Sequence, residues 1–280
     1  MASVSLEGTT ALVTGASSGI GREIAKILGA RVKCLVLVAR REERLRELRD
    51  TLVQVRRDLD VRIYVCDLGK RAELEALIGR LAEDGIHVDV LVNNAGIGDM
   101  GMFDMANAEK TRQLIELNVT SLTLLTLALL PRMVNQKRGG ILNVSSGFGL
   151  AVLGGFAAYI GSKHYVTGFS EALRADLTGT GVGVTQVCPG PVATEFKDSV
   201  DNPTDLWVPG PMEISAEACA RAAVRGFERG RAIVVPGIMM KAVLLLNGLS
   251  PRLFRRIVAG QAATTLRRVQ QRALQKAPSN

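Results

Sequence analysis

Seven short apolar runs punctuate the chain, and the segments between them carry apolar residues at helical spacing. The runs are Ala11–Thr14, Cys34–Ala39, Val61–Cys66, Val88–Asn93, Gly140–Val144, Val182–Cys188 and Ala232–Pro236. Segments 20–30, 42–57, 71–84, 108–136, 157–178 and 215–229 repeat apolar residues every three or four positions. Runs that are apolar at consecutive positions predict strands covered on both faces. Strands joined by helices pair in parallel through right-handed crossovers. The expected fold is therefore α/β: one doubly wound parallel sheet of about seven strands with helices on both faces. The alternation stops near residue 237, which predicts a single domain over 1–237 and a helical extension over 238–280.

Such a sheet needs a sizeable core, and 47% hydrophobic residues over 280 positions supply it. Disordered, collagen-like and disulfide-scaffold chains are excluded on the same ground. Cys34, Cys66, Cys188 and Cys219 show no C-x-x-C spacing, so neither a metal site nor a redox pair is expected. The N-terminal stretch lacks a basic segment followed by an apolar one. The uncharged apolar stretch Val119–Leu130 falls short of the ~20 residues of a membrane span. Reduced, cytoplasmic residence is the expectation.

In a sheet of this kind, ligands collect at the carboxyl ends of the strands. After the first run comes Thr14-Gly15-Ala16-Ser17-Ser18-Gly19-Ile20-Gly21, which opens a helix. Glycines at this place allow a tight turn, and backbone N–H groups at the helix start favour a pyrophosphate. The spacing G-x-x-x-G-x-G differs from the commoner G-x-G-x-x-G, yet its position after the first strand points to a Rossmann-like dinucleotide site. At the end of the second run stand Val38-Ala39-Arg40-Arg41 rather than an acidic residue. A carboxylate there would accept from a ribose 2′-hydroxyl, whereas a guanidinium pairs with a 2′-phosphate. Arg40 and Arg41, helped by Arg22, therefore favour NADP over NAD.

Further motifs follow in order: Asp67, Asn93-Asn94-Ala95-Gly96, Asn118, Ser145-Ser146, Tyr159-x-x-x-Lys163 and Pro189-Gly190-Pro191-Val192-x-Thr194. With Thr14–Gly21, this set resembles the short-chain dehydrogenase/reductase family over roughly residues 7–196. The resemblance implies an oxidoreductase acting between carbonyl and alcohol, with residues 1–237 as its dinucleotide-binding catalytic domain. It implies that Gly15, Ser17, Ser18, Gly19, Ile20 and Gly21 cradle the cofactor and that Asp67 and Leu68 contact adenine. Asn93, Ala95 and Gly96 would wall the adenosine side, and Pro189, Gly190, Val192 and Thr194 would face the carboxamide end. Asn118 would order a water that relays protons to Lys163.

The chemistry can be argued alongside. Delivering hydride to a ketone makes an alkoxide, which needs a proton donor and a hydrogen bond at the oxygen. A phenol with an ordinary pKa of ~10 is a poor acid–base group near neutrality. Residues four apart on a helix share a face, so Lys163 is expected beside Tyr159, lowering its pKa and holding the nicotinamide ribose. Ser146 is expected at the substrate oxygen, with Ser145 the competing choice. His164, one helical step of ~100° from Lys163, points off that face. His87 reads as a loop residue.

Apolar segments flank these motifs: Met100, Met102, Phe103 and Met105; Leu150, Val152, Leu153 and Phe156; Leu206, Trp207, Val208 and Met212. They suit a hydrophobic ketone or aldehyde. Three readings stay open: an NADPH-dependent carbonyl reductase, a 3-oxoacyl-thioester reductase and a non-catalytic NADP-binding regulator. By analogy with the family, a homodimer or homotetramer is expected, pairing the helices that hold Val119–Leu130 and Tyr159.

The net charge of +8 suggests an anionic partner, and its location narrows the choice. Residues 241–280 carry Lys241, Arg252, Arg255, Arg256, Arg267, Arg268, Arg272 and Lys276 with no acid, leaving 27 basic against 27 acidic residues before them. With 4% aromatic residues and no recognised binding motif, nucleic acid is not expected. The tail joins Ile238–Leu249 to basic turns bearing Leu253, Phe254, Ile257, Val258, Leu266 and Val269. This suits peripheral attachment to an anionic membrane, or equally a helix packed over the substrate mouth or a neighbouring subunit.

Overall fold

All seven expected strands form, each within two residues of the run that predicted it. A computed structural model describes residues 3–200, 202, 213–249 and 260–276. The strands are β1 (Thr10–Thr14), β2 (Cys34–Ala39), β3 (Asp60–Val65), β4 (Val90–Asn93), β5 (Gly140–Val144) and β6 (Gly183–Val187). Two two-residue strands, β7 (Val192–Ala193) and β8 (Ile214–Ser215), precede β9 (Ile233–Val234). The main sheet is parallel in the order β3-β2-β1-β4-β5-β6-β9, and β7 pairs with β8 apart from it. The order reverses direction between β1 and β4, which opens a crevice at their carboxyl ends.

Successive strand residues point to opposite faces, and the core divides accordingly. Ala11, Val13, Leu35 and Leu37 face one layer, formed by α1 (Gly19–Gly29), α2 (Glu42–Val55) and, toward β5 and β6, α7 (Ala216–Glu228). Leu12, Val36, Val38 and Leu91 face the other, where α3 (Arg71–Glu83) and α5 (Leu122–Asn135) pack with Leu74, Leu77, Leu81, Leu125 and Met133. All six residues of β2 are buried, as its unbroken apolar run requires. β3 lies at the sheet edge and keeps only Tyr64 buried.

The expected helix over 108–136 is interrupted. α4 (Ala108–Ile115) passes into one π-helical segment, residues 116–121, before α5 resumes. A π turn inserts an extra residue and rotates the following side chains. Here it accompanies an Asn118 only 1% exposed. The helical run Ala108–Asn135 spans 28 residues and contains an 18-residue window of mean hydropathy 1.6, long and apolar enough to cross a membrane by length and composition. In the fold its inner face packs on the sheet, and Ile115 and Leu127 remain exposed on the outside.

α6 (Ala157–Asp176) follows β5, and the extension supplies α8 (Ile238–Leu249) and α9 (Gly260–Lys276). Of the tail side chains singled out in the sequence, Leu253, Phe254, Ile257 and Val258 lie outside the described residues, as do Leu206, Trp207, Val208 and Met212.

Candidate active site

The glycine-rich turn sits at the carboxyl end of β1 and feeds α1. Gly15 and Gly19 adopt left-handed conformations (φ 65° and 55°) that side chains disfavour. A Cβ on Gly15 would stand 2.7 Å from Asn94 Nδ2, and one on Gly19 3.1 Å from Thr194 Cγ2. One on Gly21 would collide with Asn94 and the Gly15 carbonyl. α1 begins without a side-chain cap at Ser18 and without an acid in its first turn. Its free N–H groups therefore suit an anion. Asn94, assigned no role from sequence, anchors this turn: its Nδ2 donates to the Thr14 and Gly15 carbonyls at 2.9 and 3.3 Å. Thr14 Oγ1 in turn accepts from the Asn94 and Ala95 N–H groups at 2.9 and 3.0 Å.

At the end of β2 the two arginines differ. Arg40 is exposed and pairs with no described residue. Arg41 donates to Ser17 Oγ through Nε and Nη2 at 3.3 and 3.2 Å and to Glu195 through Nη1 at 2.8 Å. Arg22 lies 3.9 Å from Glu47 and also helps hold the Glu195 carboxyl below its usual range. Ser17 thus links the phosphate-binding turn directly to Arg41, a corner that suits a second anion.

At the end of β3, beside β2, Asp67 accepts from the Gly69 N–H at 3.1 Å, and Leu68 is buried. Asn93 is also buried, and its side chain donates to Thr126 and Asn143 at 3.1 and 2.9 Å inside the core. Gly96 approaches Asn118 and Lys163 so closely that a Cβ would stand 3.1 Å from Asn118 Oδ1 and 3.5 Å from Lys163 Nζ.

Ser146, Tyr159, Lys163 and Asn118 gather at the ends of β4 and β5. Lys163, 6% exposed, donates to the Val144 carbonyl at 3.0 Å and stands 5.8 Å from the Tyr159 ring centroid. Asn118 accepts from the Ile97 N–H at 3.0 Å and donates to the Ile97 carbonyl and to Ser162 Oγ at 2.9 and 3.1 Å. Tyr159 lies among aromatic rings, edge-on to Phe148 at 6.4 Å and tilted to Phe196 at 6.0 Å. Burial pushes the Tyr159 phenol up to about 12, with Ser146 pulling the other way. Burial draws Lys163 down to about 8. The expected lowering of the tyrosine pKa by Lys163 is not found: burial raises the phenol, and the opposing influence is the Ser146 hydrogen bond.

His164 is exposed and its Nδ1 bonds its own helix at the Ile160 carbonyl, 3.0 Å away, and His87 is exposed on a loop. The four cysteines are free and buried. No cluster of metal-ligating side chains occurs among the described residues.

The wall beyond Ser146 involves the extension. Met240 of α8 packs against Gly147 and Gly190, and the Pro189 carbonyl accepts from the Gly147 N–H at 2.7 Å. Gly190 thus faces α8, and Pro189 is buried beneath it. Val192 lies in β7, and Thr194 Oγ1 caps the following turn by accepting from the Phe196 N–H at 3.2 Å. α9 docks on the loop after β4: Gln270, 3% exposed, accepts from the Met102 N–H at 2.7 Å. Arg267 pairs with Asp104 at 2.8 and 3.0 Å, and Leu266 covers Gly155. Its Arg268 and Arg272 stay exposed.

Residues 9–205 match the protein family described as short chain dehydrogenase. A short-chain dehydrogenase from Sphingobium yanoikuyae in complex with NADPH superposes with a TM-score of 0.77 at 34% identity, covering 89% of this chain and 96% of that one. The bulky-bulky ketone specific alcohol dehydrogenase from Comamonas testosteroni gives a TM-score of 0.72 at 29% identity, over 87% and 94% of the two chains. The NADP-dependent 3-hydroxy acid dehydrogenase YdfG of Escherichia coli is 36% identical over 192 residues, 67% of this chain and 74% of that protein.

Proposed function

The chain belongs to the short-chain dehydrogenase family, and we propose that it is an NADPH-dependent reductase of hydrophobic ketones or aldehydes. One observation carries the reading: Ser146, Tyr159, Lys163 and Asn118 meet at the crevice into which the uncapped start of α1 and Arg41 also open. The residues fit a dinucleotide, since α1 begins uncapped and without an acid in its first turn, and Arg41 bonds Ser17 of the same turn. Gly15, Ser17, Ser18, Gly19, Ile20 and Gly21 would hold the pyrophosphate, with Arg41 and Arg22 on the 2′-phosphate and Arg40 nearby. Asp67, Leu68, Ala95, Gly96 and the Asn93 backbone would bound the adenosine. Pro189, Gly190, Val192 and Thr194 would bound the nicotinamide end. Bound there, the reduced cofactor supplies a hydride to the carbonyl carbon.

This chain's own groups manage the oxygen. The Ser146 Oγ lone pair accepts from the Phe148 N–H at 3.1 Å, which leaves its hydrogen to donate to the substrate oxygen. Tyr159, held protonated by burial, gives its proton to the developing alkoxide, a stronger base than phenolate. Lys163 uses one N–H on Val144 and keeps the others for the ribose hydroxyls and the phenolate left behind. Asn118 bridges the Ile97 backbone and Ser162, which fixes the floor beneath Lys163.

The apolar Met100, Met102, Leu150, Val152, Leu153 and Phe156, on the segments that flank the motif residues, support a hydrophobic substrate. Oligomerisation through the outer faces of α5 and α6 is supported by exposed Leu127 and Tyr165. Peripheral attachment to an anionic membrane is supported by the exposed Ile238, Met239, Leu245 and Leu246 of α8 beside exposed Lys241. The test of the reaction is NADPH oxidation against a panel of ketones, aldehydes and 3-oxoacyl thioesters, with Tyr159→Phe as control. Turnover that survives this change overturns the mechanism. Turnover confined to thioesters makes the chain a thioester reductase, and NADPH binding without any turnover makes it a regulator.

A further inference from the structure

Arg41 is held from two sides. Ser17 on the glycine-rich turn and Glu195 after β7 both take its guanidinium, and Arg44 approaches the same carboxylate at 3.8 Å. Glu195 belongs to a short 3-10 segment, Glu195–Ser199, that follows Thr194. Thr194 packs on Gly19 at the start of α1, so this strand of chain crosses from the phosphate-binding turn to the end of β2. Its next residue, Phe196, lies 6.0 Å from the Tyr159 ring and against Gly98. Three successive residues, Thr194, Glu195 and Phe196, therefore touch the phosphate turn, the arginine corner and the proton donor.

We propose that Glu195 sets the chain's affinity for the cofactor's 2′-phosphate by competing with it for Arg41, from a strap that also covers Tyr159. The proposal rests on the NADPH reading above. The Nη1 edge engaged on Glu195 is not free for a second anion, and a carboxylate 2.8 Å away repels a phosphate that approaches beside it. Arg41, Arg44 and Arg22 keep Glu195 ionised well below neutral pH, so the competition operates throughout the physiological range. Arg41 is 47% and Glu195 41% exposed, which makes their pair a weak, exchangeable one. NADH, with no 2′-phosphate, does not need Arg41 and should not sense Glu195.

The test is calorimetric titration of the full chain with NADPH and with NADH, for wild type, Glu195→Gln and the double variant Glu195→Gln/Arg41→Gln. Glu195→Gln is expected to tighten NADPH by roughly two- to fivefold at low salt while leaving NADH unchanged. The gain should vanish in the double variant. Weaker or unchanged NADPH binding by Glu195→Gln would overturn competition, weaker binding showing instead that Glu195 orients Arg41. An equal gain for NADH, or a gain that persists without Arg41, overturns it too. A wild type that binds NADH as tightly as NADPH sinks the cofactor reading itself, and the competition with it.

Discussion

Ser145 and Ser146 are neighbours with opposite commitments. Ser145 is 3% exposed, its Oγ donates to the Lys163 carbonyl at 3.1 Å, and it bonds Thr167 at 3.0 Å. Ser146 is turned to the crevice, where it accepts from the Phe148 N–H and bonds the Tyr159 phenol. Ser146→Ala should therefore lower kcat about 10²- to 10³-fold with little change in stability. Ser145→Ala should cost about 1–3 kcal/mol of stability, read by denaturant unfolding, and spare most of the chemistry. The reverse pattern would exchange their roles.

The pH profile of carbonyl reduction follows from two buried groups. Tyr159 near 12 stays protonated across the working range, whereas Lys163 near 8 loses its charge within it. Reductive kcat/KM should be level below pH 8 and fall as pH rises through about 8. A profile still level well above that pH would remove Lys163 from the reaction.

The same lysine weakens the fold that holds it. Its folded pKa of about 8 lies below the ordinary 10.5. Between these values the unfolded chain binds a proton that the folded chain has released, so stability should rise as pH climbs from 8 toward 10.5. Lys163→Met should abolish turnover, gain on the order of 1–3 kcal/mol at pH 7, and lose that rise. Urea unfolding at pH 7, 8.5 and 10 measures all of this except turnover.

The two arginines at the end of β2 should be unequal. Arg41 contacts Ser17 and Glu195, and Arg40 is in solvent. Arg41→Ala should weaken NADPH about tenfold or more, a charge-assisted hydrogen bond's worth, and Arg40→Ala much less. Fluorescence titration with NADPH compares them, and equal losses would contradict the assignment.

α9 reaches the loop after β4 through Arg267 and Gln270, and the loop before α6 through Leu266. Leu266→Asp should lift it off Gly155 and raise KM for a hydrophobic carbonyl severalfold, leaving NADPH affinity as it was. An altered cofactor affinity with unchanged KM would place this helix elsewhere in the cycle.

The strands were readable because burial on both faces writes itself as unbroken apolar runs, as in Cys34–Ala39. Motif residues were readable because the chemistry limits their types. The π segment at 116–121 was not, since one inserted residue barely disturbs an apolar period, and Asn118 looked like any helical asparagine. Nor could the chain distinguish Arg40 from Arg41, because Glu195 lies 154 residues away from its partner. The high phenol pKa of Tyr159 accompanies rings brought in by Phe148 and Phe196 from other loops, which spacing along one helix cannot reveal. Tail docking depends on a buried Gln270, a residue type that sequence reasoning leaves on the surface.

Thr14 and Asn94 tie the tips of β1 and β4 together, with Thr14 Oγ1 also donating to the Val92 carbonyl at 3.2 Å. These bonds do not require the cofactor. The phosphate-binding turn is thus pre-organised: a ligand meets a receptor whose backbone entropy was already lost on folding. Asn94→Ala would transfer that ordering cost to the binding step, so affinity at this mouth is partly a property of how the sheet is stitched.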